Sequence, residues 1–417
     1  MIQGRRVAGV PNRLFLLAAA SLLAVAGVGA SGCSGERNAT PGAGASASGS
    51  AESSPSSADA SRGGAAGTSV PARSDHAPGT VASGADASLS IVTYRVRTMG
   101  TMGDIKVAVA DSAAGWSFAH AGKRAWDRVD SLMSNWTETS EVARINRDGA
   151  AGVIVQPEVA QVIDRALSIG RESGGAFDIT VEPLVRLWGF LAGTPHVPSN
   201  EQIEAMRQRV GLAQVDFTPS TRGLRFAGPG VHIDLGGIAK GYGVDAAVLD
   251  MAAAGARIMM IDLSGNIRTV GLPPGRDHWT IGVRDPKKRW PYFAQLDVDE
   301  TALATSGNYE QFVDEDGKSY GHILDPRTGW PADGTLSVTV LTSSAMDADG
   351  WATALYVMGP DLAKQTLSKR QDLQGIVIAP APGGAGSTRD VVWIESSLLE
   401  RFRVIPEAQD SFEIRGF

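Results

Sequence analysis

The sequence predicts an α+β or mixed α/β domain over the part of the chain from residue 91 onward. Apolar residues recur at helical spacing in some segments and alternate as in strands in others, without the regular rhythm of a parallel βαβ fold. The chain has 417 residues, which is enough for a large core, and the sequence shows no internal repeat. We expect this domain to be divided into two lobes.

The predicted elements follow in chain order. Residues 105–109 alternate as in a strand, and apolar residues at helical spacing predict a helix over 114–133. Pro157 begins a second helix that ends at the glycine pair 174–175, and Ser199 begins a third, with a capping-box glutamine three residues later. The helical stripe over 114–133 consists of Trp116, Ala119, Trp126, Val129 and Met133. Further strands are predicted at 231–235, 259–263, 279–283, 337–341, 375–379 and 391–394, and a further helix from about 239 to 253.

The first 33 residues have the layout of a bacterial secretory signal. Arginines precede an apolar run over 14–28, which is shorter than the roughly 20 residues needed to span a bilayer. Residues 30–33, Ala-Ser-Gly-Cys, resemble a lipobox, and this resemblance implies cleavage before Cys33 and attachment of lipid to its thiol. We therefore expect the mature chain to be anchored on the outer side of a bacterial membrane. An ordinary signal peptide with a stray cysteine is the alternative.

Residues 34–90 consist almost entirely of Ser, Ala, Gly, Pro and Thr. Such a composition buries too little apolar surface to offset the entropy of ordering, so we expect a flexible tether, with an interaction tail as the alternative. Cys33 is the one cysteine of the chain, which excludes internal disulfides and four-cysteine zinc sites. The net charge of −7 weighs against nucleic acid as the main partner.

The segment 234–242, Asp-Leu-Gly-Gly-Ile-Ala-Lys-Gly-Tyr, follows a predicted strand and leads into a predicted helix. Paired glycines at such a turn let the backbone approach a ligand, and the start of a helix offers N–H groups to phosphate. Lys240 adds a positive charge. The spacing matches neither the dinucleotide fingerprint nor the Walker A motif. Taken alone, the segment fits a tight turn with a surface lysine equally well.

A second segment places Asp349 and Thr353 four residues apart, hence on one face if the segment is helical. A carboxylate and a hydroxyl are hard oxygen ligands suited to Mg²⁺, which takes few protein ligands together with substrate phosphates. The alternative is an aspartate that caps its own helix and a buried threonine bonded to the helix backbone. Taken alone, the segment favours that structural alternative.

Two further segments are 306–310, Ser-Gly-Asn-Tyr-Glu, and 321–329, which contains His322 before an Asp-Pro turn. His322 is a candidate base or ligand for an anionic group. A single histidine is more often structural, and the histidines of this chain have no metal-ligand spacing.

Taken together and in this order, the segments resemble the ApbE family of flavin transferases. Each motif is weak alone, but ordered matches from residue 99 to residue 354 cover most of the predicted domain. Ser264 departs from the pattern, because the family usually has a second glycine at this position. The matching segments are Met99 to Thr101, Met133-Ser134 with Trp136, Ser140 to Asn146, Gly175 to Thr180 with Pro183-Leu184 and Trp188-Gly189, Asp234 to Tyr242, Ser306 to Glu310, His322 to Gly329, and Ala348 to Ala354.

The resemblance implies a bilobed α+β fold related to the T-fold, with FAD bound in a cleft between the lobes. It also implies Mg²⁺ bound by the main-chain carbonyl of Gly237 and the side chains of Asp349 and Thr353, which reverses the preference for a structural role of the last two. The implied FAD contacts are Met99, Trp136, Ala176, Phe177, Asp178, Asp234, Lys240 and Ile323.

The implied reaction is Mg²⁺-dependent transfer of FMN from FAD to a threonine or serine hydroxyl of a target flavoprotein, with release of AMP. Lys240 assists, and His322 accepts the proton or orients the phosphate. The target is expected to carry a sequence like Asp-Gly-x-Thr-Gly-Ala-Thr. Two alternatives are hydrolysis of FAD to FMN and AMP, and a lipid-anchored flavin carrier without turnover.

Overall fold

A computed structural model of the chain describes residues 89–307, 311–381 and 389–417. Outside the described residues lie the predicted signal peptide, Cys33 and the predicted tether up to residue 88. Positions 308–310 of the segment 306–310 also lie outside them. In the part of the chain that is described, no helix combines the length and the apolar character needed to cross a membrane.

The described residues form an α+β domain, which confirms the predicted fold class. The helices are α1 (Ser112–Met133), α2 (Glu141–Asp148), α3 (Pro157–Glu172), α4 (Glu182–Leu187), α5 (Asn200–Arg207), α6 (Ala239–Ala254), α7 (Ala345–Met358) and α8 (Pro360–Lys369). The strands are β1 (Ser90–Thr98), β2 (Thr101–Val109), β3 (Val153–Ile154), β4 (Val215–Thr218), β5 (Gly223–Phe226), β6 (Met259–Leu263), β7 (Asn266–Val270), β8 (Trp279–Val283), β9 (Ala294–Val298), β10 (Ala302–Gly307), β11 (Phe312–Glu315), β12 (Lys318–Gly321), β13 (Ser337–Thr342), β14 (Gln374–Ala379), β15 (Asp390–Ile394), β16 (Phe402–Val404) and β17 (Phe412–Gly416).

Nine of the described strands form one sheet in the order β1-β2-β6-β7-β10-β13-β14-β15-β17. Neighbouring strands are antiparallel except β15 and β17, which are parallel. Alternate side chains of a strand point to opposite faces. In β6, Met259, Ile261 and Leu263 join the core beneath the helices, whereas Met260 joins a core on the other face. The sheet therefore separates two clusters of buried apolar side chains.

Helices α1, α6 and α7 pack side by side over one face of the sheet. The first turn of α6 approaches α7 so closely that a Cβ on Gly241 would lie 2.1 Å from the carbonyl oxygen of Ala345 and 2.8 Å from Cβ of Asp349. Glycine is therefore required at this contact. Further along α6, Asp245 accepts hydrogen bonds from the Ser344 hydroxyl and from two N–H groups in the first turn of α7. These contacts hold the starts of α6 and α7 together.

Smaller units complete the domain. Strands β8, β9 and β16 form a sheet over the opposite face of the main sheet, where Phe293 and Phe412 stack with ring centroids 3.9 Å apart. Strands β3, β5 and β4 form another small sheet, and β11 pairs with β12. A third cluster of buried side chains surrounds Trp188, whose indole N–H donates to the carbonyl of Gly329 at 3.0 Å.

Most predicted elements are confirmed, including the third helix with its complete capping box at Ser199. The predicted strand over 231–235 is wrong, because this extended segment pairs with no strand among the described residues. A side chain holds it instead: Asn146 accepts a hydrogen bond from the N–H of Ile233 at 2.7 Å and donates to its carbonyl at 3.0 Å. The buried stripe of α1 is shorter than predicted, since Trp116 is 44% exposed and lies against the rings of Tyr94 and His120.

Candidate functional site

The predicted flavin, metal and catalytic residues line one cavity of about 550 Å³. Met133 and Phe177 from the core beneath the helices line it, as do Phe190 and Leu324 from the third cluster, so the cavity lies where these two clusters meet. Cys33, the predicted lipid site, lies outside the described residues. The predicted site residues on the wall are Met99, Trp136, Ala176, Phe177, Asp178, Asp234, Gly237, Lys240, His322, Ile323, Asp349 and Thr353.

Two tight turns form part of the wall. Met99 and Gly100 join β1 to β2, and Ser264 and Gly265 join β6 to β7; because β2 pairs with β6, the turns lie side by side. Their φ angles are 45°, 72°, 56° and 91°, so all four residues have left-handed backbone. Met99 and Ser264 hold a conformation that residues other than glycine rarely adopt, and such backbone strain clusters at ligand sites. Ser264 thus keeps a turn geometry that a glycine would adopt more easily.

The turn before α6 places a carboxyl group and an ammonium group on the wall. Asp234 accepts a hydrogen bond from the N–H of Gly236 at 2.8 Å, and Nζ of Lys240 donates to the carbonyl of Gly236 at 2.8 Å. Burial raises the pKa of Asp234, and the charge of Glu182 also raises it, against the lowering effect of the Gly236 N–H. The ammonium of Lys240 lies 3.8 Å from a carboxylate oxygen of Asp349. The lysine therefore adds its positive charge next to the predicted metal ligand.

Asp349 and Thr353 lie in α7, so the segment is helical and both side chains lie on one face of it. Asp349 is 4% exposed, and one of its carboxylate oxygens accepts a hydrogen bond from the N–H of Gly241 at 3.0 Å. The hydroxyl of Thr353 lies at hydrogen-bond distance, 3.1 Å, from that of Ser306. The N-cap of α7 is Ser344, so Asp349 does not cap its own helix. Its carboxylate instead contacts the first turn of α6, where it faces the cavity.

This arrangement fits a hard divalent cation. Asp349 offers a buried carboxylate, Thr353 offers a hydroxyl oriented by Ser306, and Gly237 offers a main-chain carbonyl. Gly237 lies beside Thr353, because a Cβ on Gly237 would be 3.5 Å from the threonine Oγ1. Mg²⁺ prefers oxygen ligands and is commonly held by one or two carboxylates together with substrate phosphates. Within the described ranges no cluster of three or more His, Cys, Asp or Glu side chains could hold a metal ion, so water or phosphate oxygens would complete the coordination.

The segment 176–178 forms another part of the wall. It follows Gly174 and Gly175, whose φ angles of 62° and 78° reverse the chain after α3. Asp178 accepts hydrogen bonds from the N–H and the hydroxyl of Thr180 at 2.8 and 2.7 Å. Burial raises the pKa of Asp178, although the bonds from Thr180 oppose the shift. An ionised carboxylate only accepts hydrogen bonds and is repelled by phosphate, so in that form Asp178 suits a hydroxyl or N–H donor.

His322 and Trp136 border the same cavity. Nδ1 of His322 lies 3.3 Å from the carbonyl oxygen of Gln311, and because a carbonyl can only accept, Nδ1 carries the proton in this contact. Trp136 is 65% exposed and offers the flat apolar face that stacking on a ring system requires. The cavity thus brings an aromatic surface and a candidate base to the same site as Lys240 and Asp349.

The structure adds wall residues to which the sequence assigned no function. Asn266 follows the Ser264-Gly265 turn, and Thr305 and Ser306 lie near the end of β10. Asn266 is 3% exposed, and asparagine is seldom buried to this extent. The sequence signal that could have pointed to Asn266 is the nearby Ser264, because a serine there departs from the usual family pattern at this turn.

Comparison with known proteins decides the family. The sequence model of the ApbE family matches residues 99–377, and this range includes both tight turns, α6 and α7. The chain belongs to the ApbE family. The resemblance inferred from the order of the motifs is thereby confirmed.

Curated and solved ApbE proteins support the same assignment. A FAD:protein FMN transferase of Salmonella typhimurium is 30% identical over 302 residues, which cover 71% of this chain and 85% of that protein. One of Vibrio cholerae serotype O1 is 34% identical over 273 residues, which cover 63% and 80%. The solved flavin transferase ApbE from Vibrio cholerae has a TM-score of 0.67 at 31% identity and covers 75% of this chain and 99% of its own. The ApbE protein of Thermotoga maritima has a TM-score of 0.65 at 33% identity and covers 70% and 94%.

Proposed function

We propose that this ApbE protein transfers the FMN part of FAD to a threonine or serine hydroxyl of a target flavoprotein and releases AMP. The observation that carries the proposal is the composition of the cavity: the exposed face of Trp136 shares it with Lys240, Asp349 and Thr353. A flavin ring suits the aromatic surface of Trp136, and a pyrophosphate suits the ammonium of Lys240 and the proposed metal ligands. The activity for which the relatives are named, FAD:protein FMN transfer, supports the assignment.

In the proposed reaction, the acceptor oxygen forms a bond to the FMN-side phosphorus, and the bond from that phosphorus to the bridging oxygen breaks. AMP leaves with the bridging oxygen. His322 takes the hydroxyl proton, and the proton then passes to solvent. Orienting the phosphate is the second role that fits His322. Lys240 offsets the negative charge of the pyrophosphate, and positioning supplies much of the acceleration.

Asp349, Thr353 and the main-chain carbonyl of Gly237 would hold the Mg²⁺ of this reaction. When bound, Mg²⁺ neutralises the charge of the pyrophosphate and stabilises the departing AMP oxygen. The chain keeps the ligands in position: the N–H of Gly241 holds the carboxylate of Asp349, and the hydroxyl of Ser306 holds that of Thr353. Both supporting contacts come from elements other than α7, so the ligand geometry depends on the packing of α6 and β10 against it.

Product analysis tests the proposal. The full chain is mixed with FAD, Mg²⁺ and a polypeptide that carries the sequence Asp-Gly-x-Thr-Gly-Ala-Thr, and products are identified by mass spectrometry. A polypeptide in which valine replaces the acceptor threonine is the matched control. An FMN adduct on the threonine but not on the control supports transfer. FMN and AMP without an adduct would mean that water is the acceptor, and unchanged FAD would contradict both enzyme functions and favour a flavin carrier.

We also propose that the mature chain carries lipid on Cys33 and is held by it on the outer side of a bacterial membrane. The lipobox-like residues 30–33 and the apolar run before them support this location. Cell fractionation of the full chain and of Cys33→Ser tests it. The wild type is expected in the membrane fraction and the variant is not; identical fractionation of both would refute the anchor.

A further inference from the structure

The amide of Asn266 has a hydrogen-bonding group that the fold does not use. Asn266 begins β7, and its Nδ2 donates to the carbonyl of Leu263 at 3.2 Å, which fixes the amide orientation and makes Oδ1 the acceptor. The residue is 3% exposed, and Oδ1 is buried with no hydrogen-bond donor among the described residues. A donor to Oδ1 would therefore have to come from a group that is not part of the described residues.

A buried polar atom without a partner destabilises the fold, and native proteins leave few of them. Several other described residues also contain such an atom, for example the hydroxyl of Thr335. Of the described residues with such an atom, Asn266 alone lines the cavity of the proposed transfer site. Of these unpartnered buried atoms, only Oδ1 of Asn266 could therefore receive its missing donor from a ligand in the cavity.

Strand register places Asn266 near the proposed metal ligands. Strand β7 pairs with β10 so that Ile267 lies opposite Leu303. The next position in this register pairs Asn266 with a residue of β10, and Ser306 lies two residues beyond that residue. The side chains of Asn266 and Ser306 therefore point to the same face of the sheet. The hydroxyl of Ser306 is the one that contacts Thr353. Asn266 thus belongs to the polar wall at which the phosphate chemistry of the proposed function takes place.

We propose that Asn266 is a substrate-binding residue whose Oδ1 accepts a hydrogen bond from a substrate hydroxyl held beside Thr353. The inference rests on the proposed function, in which two hydroxyl sources lie next to the reacting phosphorus. One is the ribityl chain of FAD, and the other is the threonine or serine of the acceptor. The shared chemistry is a hydroxyl donor, and measurements of FAD binding and of acceptor kinetics distinguish the two sources.

The test compares Asn266→Leu, which removes the acceptor oxygen at similar volume, with Thr335→Val, which removes a buried unpartnered hydroxyl outside the cavity. For each full-length protein we measure the FAD dissociation constant by fluorescence titration, and KM and kcat for adduct formation on the Asp-Gly-x-Thr-Gly-Ala-Thr polypeptide. One neutral hydrogen bond predicts a loss of about 3- to 10-fold for Asn266→Leu and none for Thr335→Val. Weaker FAD binding with an unchanged acceptor KM identifies the ribityl hydroxyl, and the converse identifies the acceptor hydroxyl.

Unchanged FAD affinity, KM and kcat in Asn266→Leu would overturn the inference, as would equal losses in the two variants. If Asn266→Leu does not fold, Asn266→Ala and Asn266→Ser replace it. Partial recovery in the serine variant, which restores an oxygen acceptor, is then expected, and equal behaviour of the two would overturn the inference. A wild-type chain that binds FAD but forms no adduct would refute the proposed function, while the FAD titration of Asn266→Leu would still test the contact.

Discussion

Asp349 has two roles that different substitutions separate. Its carboxylate is a proposed metal ligand, and it also accepts the N–H of Gly241 at 3.0 Å in a buried contact. Asp349→Ala removes both roles and leaves that N–H without a partner, which costs about 1–3 kcal/mol of unfolding free energy. Asp349→Asn keeps an oxygen that accepts the same hydrogen bond. Its pairing with Lys240, which is partly exposed, is worth no more than ~1 kcal/mol, so we expect Asn to cost less than Ala.

Both variants are expected to lose activity alike, because neither offers a charged ligand. Loss of a residue that only supports a metal ligand typically costs about 10- to 100-fold, so loss of the ligand charge itself is expected to cost at least about 100-fold. Urea unfolding measures the stability difference, and adduct formation over a range of Mg²⁺ concentrations measures the activity. A wild-type rate in Asp349→Asn would refute the ligand role, and equal unfolding free energies of the two variants would refute the role assigned to the Gly241 contact.

Three further predictions concern the support of the site. Gly241→Ala places a Cβ 2.1 Å from the carbonyl oxygen of Ala345, so we expect a loss of at least about 1–3 kcal/mol in unfolding free energy; an unchanged thermal melt would contradict this contact. Ser306→Ala removes the partner of the Thr353 hydroxyl, and the Mg²⁺ concentration for half-maximal adduct formation should rise about 3- to 10-fold, whereas an unchanged Mg²⁺ dependence would count against this role. Because burial raises the pKa of Asp178, its ionisation destabilises the wild type as the pH rises through that raised pKa, and Asp178→Asn removes this loss. In urea unfolding, the variant should exceed the wild type in stability at neutral pH and match it below about pH 4; a difference independent of pH would contradict the assignment.

Local sequence patterns correctly predicted those helices and strands that are determined by contacts between residues close together in the chain. The helix that begins at Ser199 has its complete capping box, and α6 follows the glycine-rich turn as expected. The segment 231–235 shows the same alternation as a strand, but Asn146, 87 residues away from Ile233, takes the place of a neighbouring strand. No local pattern carries that information, because a side chain and a strand satisfy the same backbone groups.

The candidate site was predictable to a similar extent. The order of the motifs identified residues such as Lys240 and Asp349, which the fold brings to one cavity from distant parts of the chain. The contact between Asp349 and Gly241 depends on how closely α6 packs on α7, which no single motif encodes. Asn266 was missed for a related reason. Its interest lies in the absence of a donor near Oδ1 among the described residues, and only the packed structure reveals such an absence.

The most direct test of transfer follows oxygen atoms during one reaction. The full chain, FAD, Mg²⁺ and the acceptor polypeptide are incubated in heavy-oxygen water, and the phosphates of all products are analysed by mass spectrometry. Transfer to the acceptor hydroxyl predicts one AMP for each FMN adduct and no heavy oxygen in either product, because the acceptor supplies the new oxygen and AMP keeps the bridging one. Free FMN that carries one heavy oxygen, without an adduct, would contradict transfer and assign the cavity to hydrolysis.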